Sequence, residues 1–443
     1  MGLTENSWVI GTKQPVLVYN LWDEGPYFVA DTSPAGMTAY QTWLKEQYAG
    51  NLEDLNTEWE SKYKKWEEIT DTLGQSDLKR IGDPWENKAR EIGNYARWND
   101  RQTFTKINFN NLVLDGFTRR AKKFDPQARI GFEGSGGFGG DSGVIADGMV
   151  FDDLLASAGF YVPYDGLHLE LIRSLHLPGF IYGFWIGYQK SAEPLVSKAW
   201  RAVVNGAPAI WWWMLPGTGE FHGWLARDDQ PYPNGSEEVI RDCVKPLREG
   251  LGDLLLNLEQ QHDGIAVYYS NSAAQAGSMI PDPKERVFGS ALGSADNWHQ
   301  VIEDCSFQWL YLSKERVLAG DLAKRGIKLL ILPLIQPLGE DEVVEFGKFA
   351  AAGGTIVADL RPGVLSGHCR IINSGPADVL FGISRTGLGK PTAVTGDFVL
   401  PIGESKIPLS LKGVTSDANI KPTTATAHAT SNGVPLLLSR TIG

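Results

Sequence analysis

Across roughly the first 250 positions of the 443-residue chain, short apolar runs alternate with stretches whose apolar positions recur at helical spacing. The runs PVLVYNLW (15–22), ARIGFEG (128–134), FYVPY (160–164), GFIYGFWIGY (179–188) and APAIWWWML (207–215) each predict a strand buried on both faces. Between them, helices are predicted over 38–50, 52–69, 99–124, 150–158, 169–175 and 194–205. The segment LEDLNTEWESKYKKWEEI is acidic at its start, which suits the positive end of a helix dipole. Strands joined by helical crossovers give a parallel sheet with right-handed connections. Polar and aromatic residues gather where the strands end: Asp23-Glu24, Glu133, Tyr164-Asp165, Trp185 and Trp211 to Trp213. Strand C-termini are where a β/α barrel carries its chemistry. Five strands are too few to close one. The expected α/β fold is therefore a partial (β/α)8 TIM-type barrel that begins at about the fourth strand of eight.

From about Gly264 a second series follows. GIAVYYS, VIEDCSFQWLYLS, IKLLILPL, DEVVEFGKFAAAGG and TIVADL predict a doubly wound α/β domain. Gly353-Gly354 fall just past a helix, where a left-handed cap is wanted. After about Ser366 the chain turns Thr-, Gly- and Pro-rich, and GVPLLLSRTIG stops in what reads as a strand pair. The expected organisation is residues 1–260 as the C-terminal part of a barrel, 261–368 as the doubly wound domain and 369–443 as a β-rich tail. Both ends read as cut, and no internal repeat is visible.

Composition narrows the function classes. Hydrophobic residues are 42% and charged residues 21%, an ordinary globular balance. The net charge is −12, and the cationic pairs in YKKWEE and TRRAKKF read as local helix surface, so no nucleic-acid partner is expected. No apolar stretch reaches the ~20 residues of a membrane span and no signal peptide opens the sequence, so a soluble protein of undetermined compartment is expected. Cys243, Cys305 and Cys369 lie far apart without a CxxC or histidines at metal spacing, so neither a metal site nor a disulfide framework is expected. The glycine-rich EGSGGFGGDSGVIADG lacks GKS or GKT and any GxGxxG opening a helix, which argues against a phosphate loop. No cofactor is expected. The 15 Trp, 14 Tyr and 18 Phe fit either stacking platforms for sugar rings or simply a large aromatic core.

Several of these stretches resemble one family. YQTWLKEQYAGNLEDLNTEWESKYKKWEEI is similar to the helical segment that follows the acid/base strand in β-galactosidases of glycoside hydrolase family 42. WWWMLPGTGEFHGWL resembles the end of that family's barrel, and residues 265–361, above all KLLILPL and FAAAGGTIVADLRPG, look like its flavodoxin-like trimerisation domain. The resemblance implies a retaining glycoside hydrolase, a β-linked carbohydrate substrate and a homotrimer. In the family the acid/base closes an Asn-Glu pair after strand four. Here the pair is Asp23-Glu24, so Glu24 carries over as the acid/base and Asp replaces the Asn. Glycoside hydrolysis needs one carboxyl kept protonated and a second carboxylate on the other face of the sugar. Trp22 would desolvate Glu24, and the Asp23 charge pushes the same way.

The family's nucleophile follows strand seven, but the corresponding GFIYGFWIGY offers Gly183, Phe184 and Trp185 and no acid. Glu133, ahead of the glycine-rich loop, is the first choice of partner carboxylate. Glu170 is the second, with an i, i+3 ion pair to Arg173 as the structural alternative. Glu220 is the third; it matches a substrate-binding position whose spacing to His222 is one residue shorter than the family's. Asn20, Trp22, Asp23 and Tyr164 are expected sugar contacts, as are Trp185, Trp212, Glu220 and His222. The missing acid also supports a second reading, a catalytically inactive carbohydrate-binding or assembly protein that retains the fold. An amidotransferase-like reading fits the second domain's topology but lacks a cysteine on a Gly-x-Cys-x-Gly turn: Cys305 is expected inside a helix and Cys369 lies in GHCR.

Overall fold

The computed structural model describes residues 18–23, 31–70, 93–134, 149–163, 166–186, 192–212, 236–277, 291–386, 391–402 and 405–443. They fall into two compact units.

The first unit comprises Met1–Tyr27, Ile107–Asp141 and Phe151–Gln260. Its five predicted strands form one parallel sheet in chain order: β1 (Tyr19–Asp23), β2 (Ile130–Glu133), β3 (Phe160–Val162), β4 (Ile181–Ile186) and β5 (Ala209–Trp212). Sequential parallel strands with helical crossovers are the build of part of a TIM-type barrel. Tyr19, Leu21 and Ile130 pack on Phe117 and Ala121 of helix Asp115–Ala121, so one face of the sheet is closed by helices. Gly131 has no room for a side chain: a Cβ there would overlap the Phe160 carbonyl oxygen on the next strand. The long helix predicted over 99–124 runs instead from Ala96 to Ala121, through a π-helical stretch at Asn110–Leu114.

The second unit comprises Phe28–Lys106, Ser142–Val150 and Gln261–Gly443. Its parallel sheet contains β6 (Ile265–Tyr269), β7 (Trp309–Ser313), β8 (Leu329–Leu332) and, after the short β9 (Pro337–Leu338), β10 (Thr355–Ala358). The order β10-β8-β6-β7 is doubly wound, as predicted, with its switch point between β6 and β8. Helix Glu340–Ala351 lays Val343, Phe346 and Phe349 on that sheet and ends before Gly353, whose φ of +96° is the left-handed conformation the sequence predicts. β9 pairs with β11 (Leu365–Ser366). The tail adds β12 (Ile383–Ser384), the long hairpin of β13 (Pro391–Ile402) and β14 (Ser405–Asp417), then β15 (Lys421–Pro422), which pairs with β12. A last hairpin joins β16 (Thr426–Ser431) and β17 (Val434–Ser439). Helix Ala291–Asp304 stops one residue short of Cys305, which is exposed, so that thiol is not inside a helix.

Residues 31–70 and 93–106 form a helical excursion with its own apolar cluster, built from Tyr40, Leu44, Leu55, Trp59, Ile69 and Phe104. Helix Pro34–Gln47 opens with Pro34 at its first turn, and the Ser33 side chain accepts from the Gly36 N–H. The helix predicted over 52–69 stops at Trp59. Glu60 takes the left-handed cap at φ +52°, and the Asn56 side chain draws in the following loop by accepting from the Ser61 hydroxyl and the Tyr63 N–H. A short 3-10 turn at Trp66–Glu68 is all that remains of the predicted second half. The excursion belongs to the compact unit that contains the doubly wound sheet, not to the one that contains β1 to β5.

Candidate functional site

The sequence places its candidate chemistry at the C-terminal ends of β1 to β5, and the pairing of those strands decides which residues share a face. Asn20 pairs with Gly131 and Asp23 with Glu133, three residues of β1 against two of β2. Such an irregularity re-aims a strand end. Asn20 and Glu133 consequently lie on one face, where Asn20 Nδ2 donates to Glu133 Oε1 at 2.7 Å. An amide donor suits a carboxylate acceptor and fixes its direction.

The same face continues through Gly131–Phe160, Phe160–Ile181, Gly183–Ala209 and Trp185–Trp211. Alternation along the strands then assigns Trp185 and Trp211 to the Glu133 side. Tyr182, Phe184, Ile186 and Trp212 lie on the opposite face, where the His176 ring sits 5.1 Å from the Tyr182 ring at the end of helix Gly166–Leu175. Of the tryptophan run, Trp211 therefore shares the Glu133 face, and Trp212, an expected sugar contact, lies on the other. The sequence fixes the alternation but not its parity, and only the pairing with Trp185 resolves it. The Trp211 ring also explains the bare position on β4. A Cβ at Gly183 would come within 2.7 Å of that ring and 2.6 Å of the Ala209 carbonyl oxygen.

Glu170 makes the i, i+3 ion pair that helical spacing offers it. Its carboxylate meets the Arg173 guanidinium at 2.5 Å one turn along the same helix, and the side chains are only 7% and 4% exposed. Burial raises the Tyr182 hydroxyl above its ordinary value, Arg173 opposes that rise and Glu170 adds to it, which puts the ion pair near the helix-packed face of β4. Glu24, Tyr164, Glu220 and His222 lie outside the described residues, as do the side chains of Trp22 and Asp23 and the glycine-rich loop from 135 to 148. Among the described residues no group of three His, Cys, Asp or Glu is placed to hold a metal ion, and no helix is long and apolar enough to cross a membrane.

The described part of the site is thus a carboxylate held by an amide at a strand end, on a face that also carries two indoles. A carboxylate can accept a proton or attack an electrophilic carbon, and flat rings suit the C–H face of a sugar.

No protein-family model and no curated protein matches the chain. Solved structures do. The β-galactosidase from Bacillus circulans sp. alkalophilus is similar at a TM-score of 0.65 and 17% identity, over 92% of this chain and 62% of that one. Gan42B, a GH42 β-galactosidase from G. stearothermophilus, is similar at 0.62 and 16%, over 91% and 60%. The GH42 exo-carrageenase from Bacteroides ovatus is similar at 0.55 and 13%, over 81% and 51%. The chain spans about three-fifths of the length of the two β-galactosidases. At these identities the likeness is one of fold: the chain is a divergent structural relative that carries the fold of the glycoside hydrolase family 42 β-galactosidases.

Proposed function

We propose that the chain acts as a glycoside hydrolase on a β-linked, galactoside-like sugar, with Glu133 as the carboxylate facing the substrate and Glu24 as its proton-donating partner. The observation that carries this reading is the hydrogen bond from Asn20, near the start of β1, to Glu133, the last residue of β2, on the face that also carries Trp185 and Trp211. Glu24 directly follows the last residue of β1, whose Cα partner is Glu133. In this reading Asn20 orients the Glu133 carboxylate and the indoles stack the sugar ring. Retention would require the two carboxyl groups to lie about 5–5.5 Å apart, and inversion ~6.5–9.5 Å.

The test is hydrolysis of 4-nitrophenyl β-D-galactoside by the intact chain and by Glu133→Gln and Glu24→Gln. Each variant is expected to lose on the order of 10²-fold or more in kcat with its fold intact. Wild-type turnover that survives both substitutions would sink the assignment.

A second reading has its own observation. The Trp211 ring fills the space above Gly183, so β4 cannot present an acid there without displacing that indole. This favours a sugar-binding protein without turnover. Galactose binding measured by calorimetry, lost in Trp211→Ala and unaccompanied by hydrolysis, would select it.

A further inference from the structure

A densely connected buried polar cluster lies in the second unit. Asp100, on helix Ala96–Phe109, is 1% exposed and accepts three hydrogen bonds. Tyr48 Oη and Trp59 Nε1 donate to its Oδ2 at 2.7 and 2.8 Å, and His368 Nδ1 donates to its Oδ1 at 2.8 Å. The Tyr48 ring also lies flat on the imidazole, with centroids 4.4 Å apart and planes 18° off parallel. Beside them Glu58 accepts from the Ser366 hydroxyl at 2.6 Å and from Arg370 at 3.4 Å, and the Tyr95 N–H donates to the Cys369 carbonyl. One turn of chain, residues 366–370, thereby grips the ends of three helices of the excursion. Its backbone is bent to do so: Cys369 sits at φ +77°, which a non-glycine residue adopts only when its surroundings hold it there.

His368 is the member of this cluster able to change charge near neutrality. Its side chain is 28% exposed, so a proton can reach it, while the Asp100 side chain it faces is 2% exposed. A protonated ring would pair its charge with Asp100 and present a cation to the face of Tyr48. A neutral ring would keep at most the hydrogen bond. We propose that His368 is a pH-sensitive latch, fastening the helical excursion of residues 31–70 and 93–106 to the 366–370 turn when protonated and loosening it when neutral.

The groups that face the imidazole set the direction of its response. Burial opposes its charge and Lys314, at the start of helix Lys314–Leu318, adds to that opposition. Asp100, by charge and hydrogen bond, and Glu58 outweigh both, so His368 holds its proton above the ordinary histidine value. Arg370, on the same turn, spends its charge on Glu58. A histidine raised in this way contributes stability in full below the unfolded value of about 6.5 and loses it as the pH rises through the folded value. The latch is therefore closed in mild acid and opens toward alkaline pH.

The test uses the intact chain. The His368 ring is titrated by NMR, assigned with His368→Gln, and thermolysin cleavage at sites within residues 31–70 and 93–106 is followed from pH 6 to 9, corrected with an unstructured peptide. Wild type is expected to titrate above ~6.5 and to be cut roughly fivefold faster at the alkaline end; His368→Gln is expected to be cut at a rate that does not change with pH. Asp100→Asn is expected to lower the titration midpoint. A midpoint below ~6.5 overturns the proposal, as does a flat wild-type cleavage profile or one that His368→Gln reproduces. If His368→Gln does not fold, the wild-type profile and the Asp100→Asn midpoint decide the matter.

Discussion

Asp153, on helix Phe151–Ser157, holds its carboxyl where water is scarce. Burial pushes it up to about 6; the Asn110 amide, donating at 2.6 Å from the π-helical stretch, works against that rise, and Asp152 adds to it. A carboxyl raised in the folded state keeps its proton where the unfolded chain has lost it, so stability falls as pH rises from about 4 to about 6. Asp153→Asn is expected to flatten that slope and to gain on the order of 1–2 kcal/mol at pH 7. Urea melts at pH 4.5 and pH 7 check it, and an unchanged slope would refute the cause given. Sequence served unevenly at this scale. The Glu170–Arg173 pair was legible because helical spacing alone brings i and i+3 together. The Asn20–Glu133 bond was not, since it joins residues 113 positions apart through an irregular register that no local pattern announces.

Among the elements, the strands of the first unit were the most legible, because each is a short apolar run between turn residues. Their pairing adds what a run cannot: the space over Gly183 belongs to Trp211. Gly183→Ala is expected to cost about 1–3 kcal/mol through overpacking against that ring. The paired substitution Gly183→Ala with Trp211→Phe should recover part of the loss. Chemical denaturation of both variants is the measurement, and a Gly183→Ala protein as stable as wild type would mean the indole is not fixed there. The helix over 52–69 was the least legible element. Its charge pattern continues past residue 60, but Asn56 competes for the backbone of the next turn and wins.

Over the whole molecule, the change in strand and helix rhythm near residue 260 is a local pattern, open to a reading of the sequence. What the sequence hid is that residues 31–70 and 93–106 belong with the doubly wound sheet's unit, because the residues they meet there follow hundreds of positions later. The β-rich tail is likewise fastened into the unit by buried charge. Arg361, just beyond β10, meets Asp417 at the end of β14 at 2.8 Å, with side chains 3% and 2% exposed; Arg385 and Asp378 form a second buried pair. Removing one partner strands the other charge without water. Arg361→Ala is expected to cost about 3–5 kcal/mol, read as a lower urea midpoint, whereas a loss under about 1 kcal/mol would mean that water already reaches Asp417.

The separation of 268 positions between Asp100 and His368 also bears on how this chain is made. At synthesis rates of roughly 5–20 residues per second, Asp100 would leave the ribosome on the order of tens of seconds before the histidine that caps its charge. The three helices can gather their apolar faces in that interval, but the carboxylate between them has to stay hydrated until residue 368 emerges. The excursion thus reaches its final form only after residue 368 has been made, and a nascent chain stalled short of that residue would keep this seam open to water.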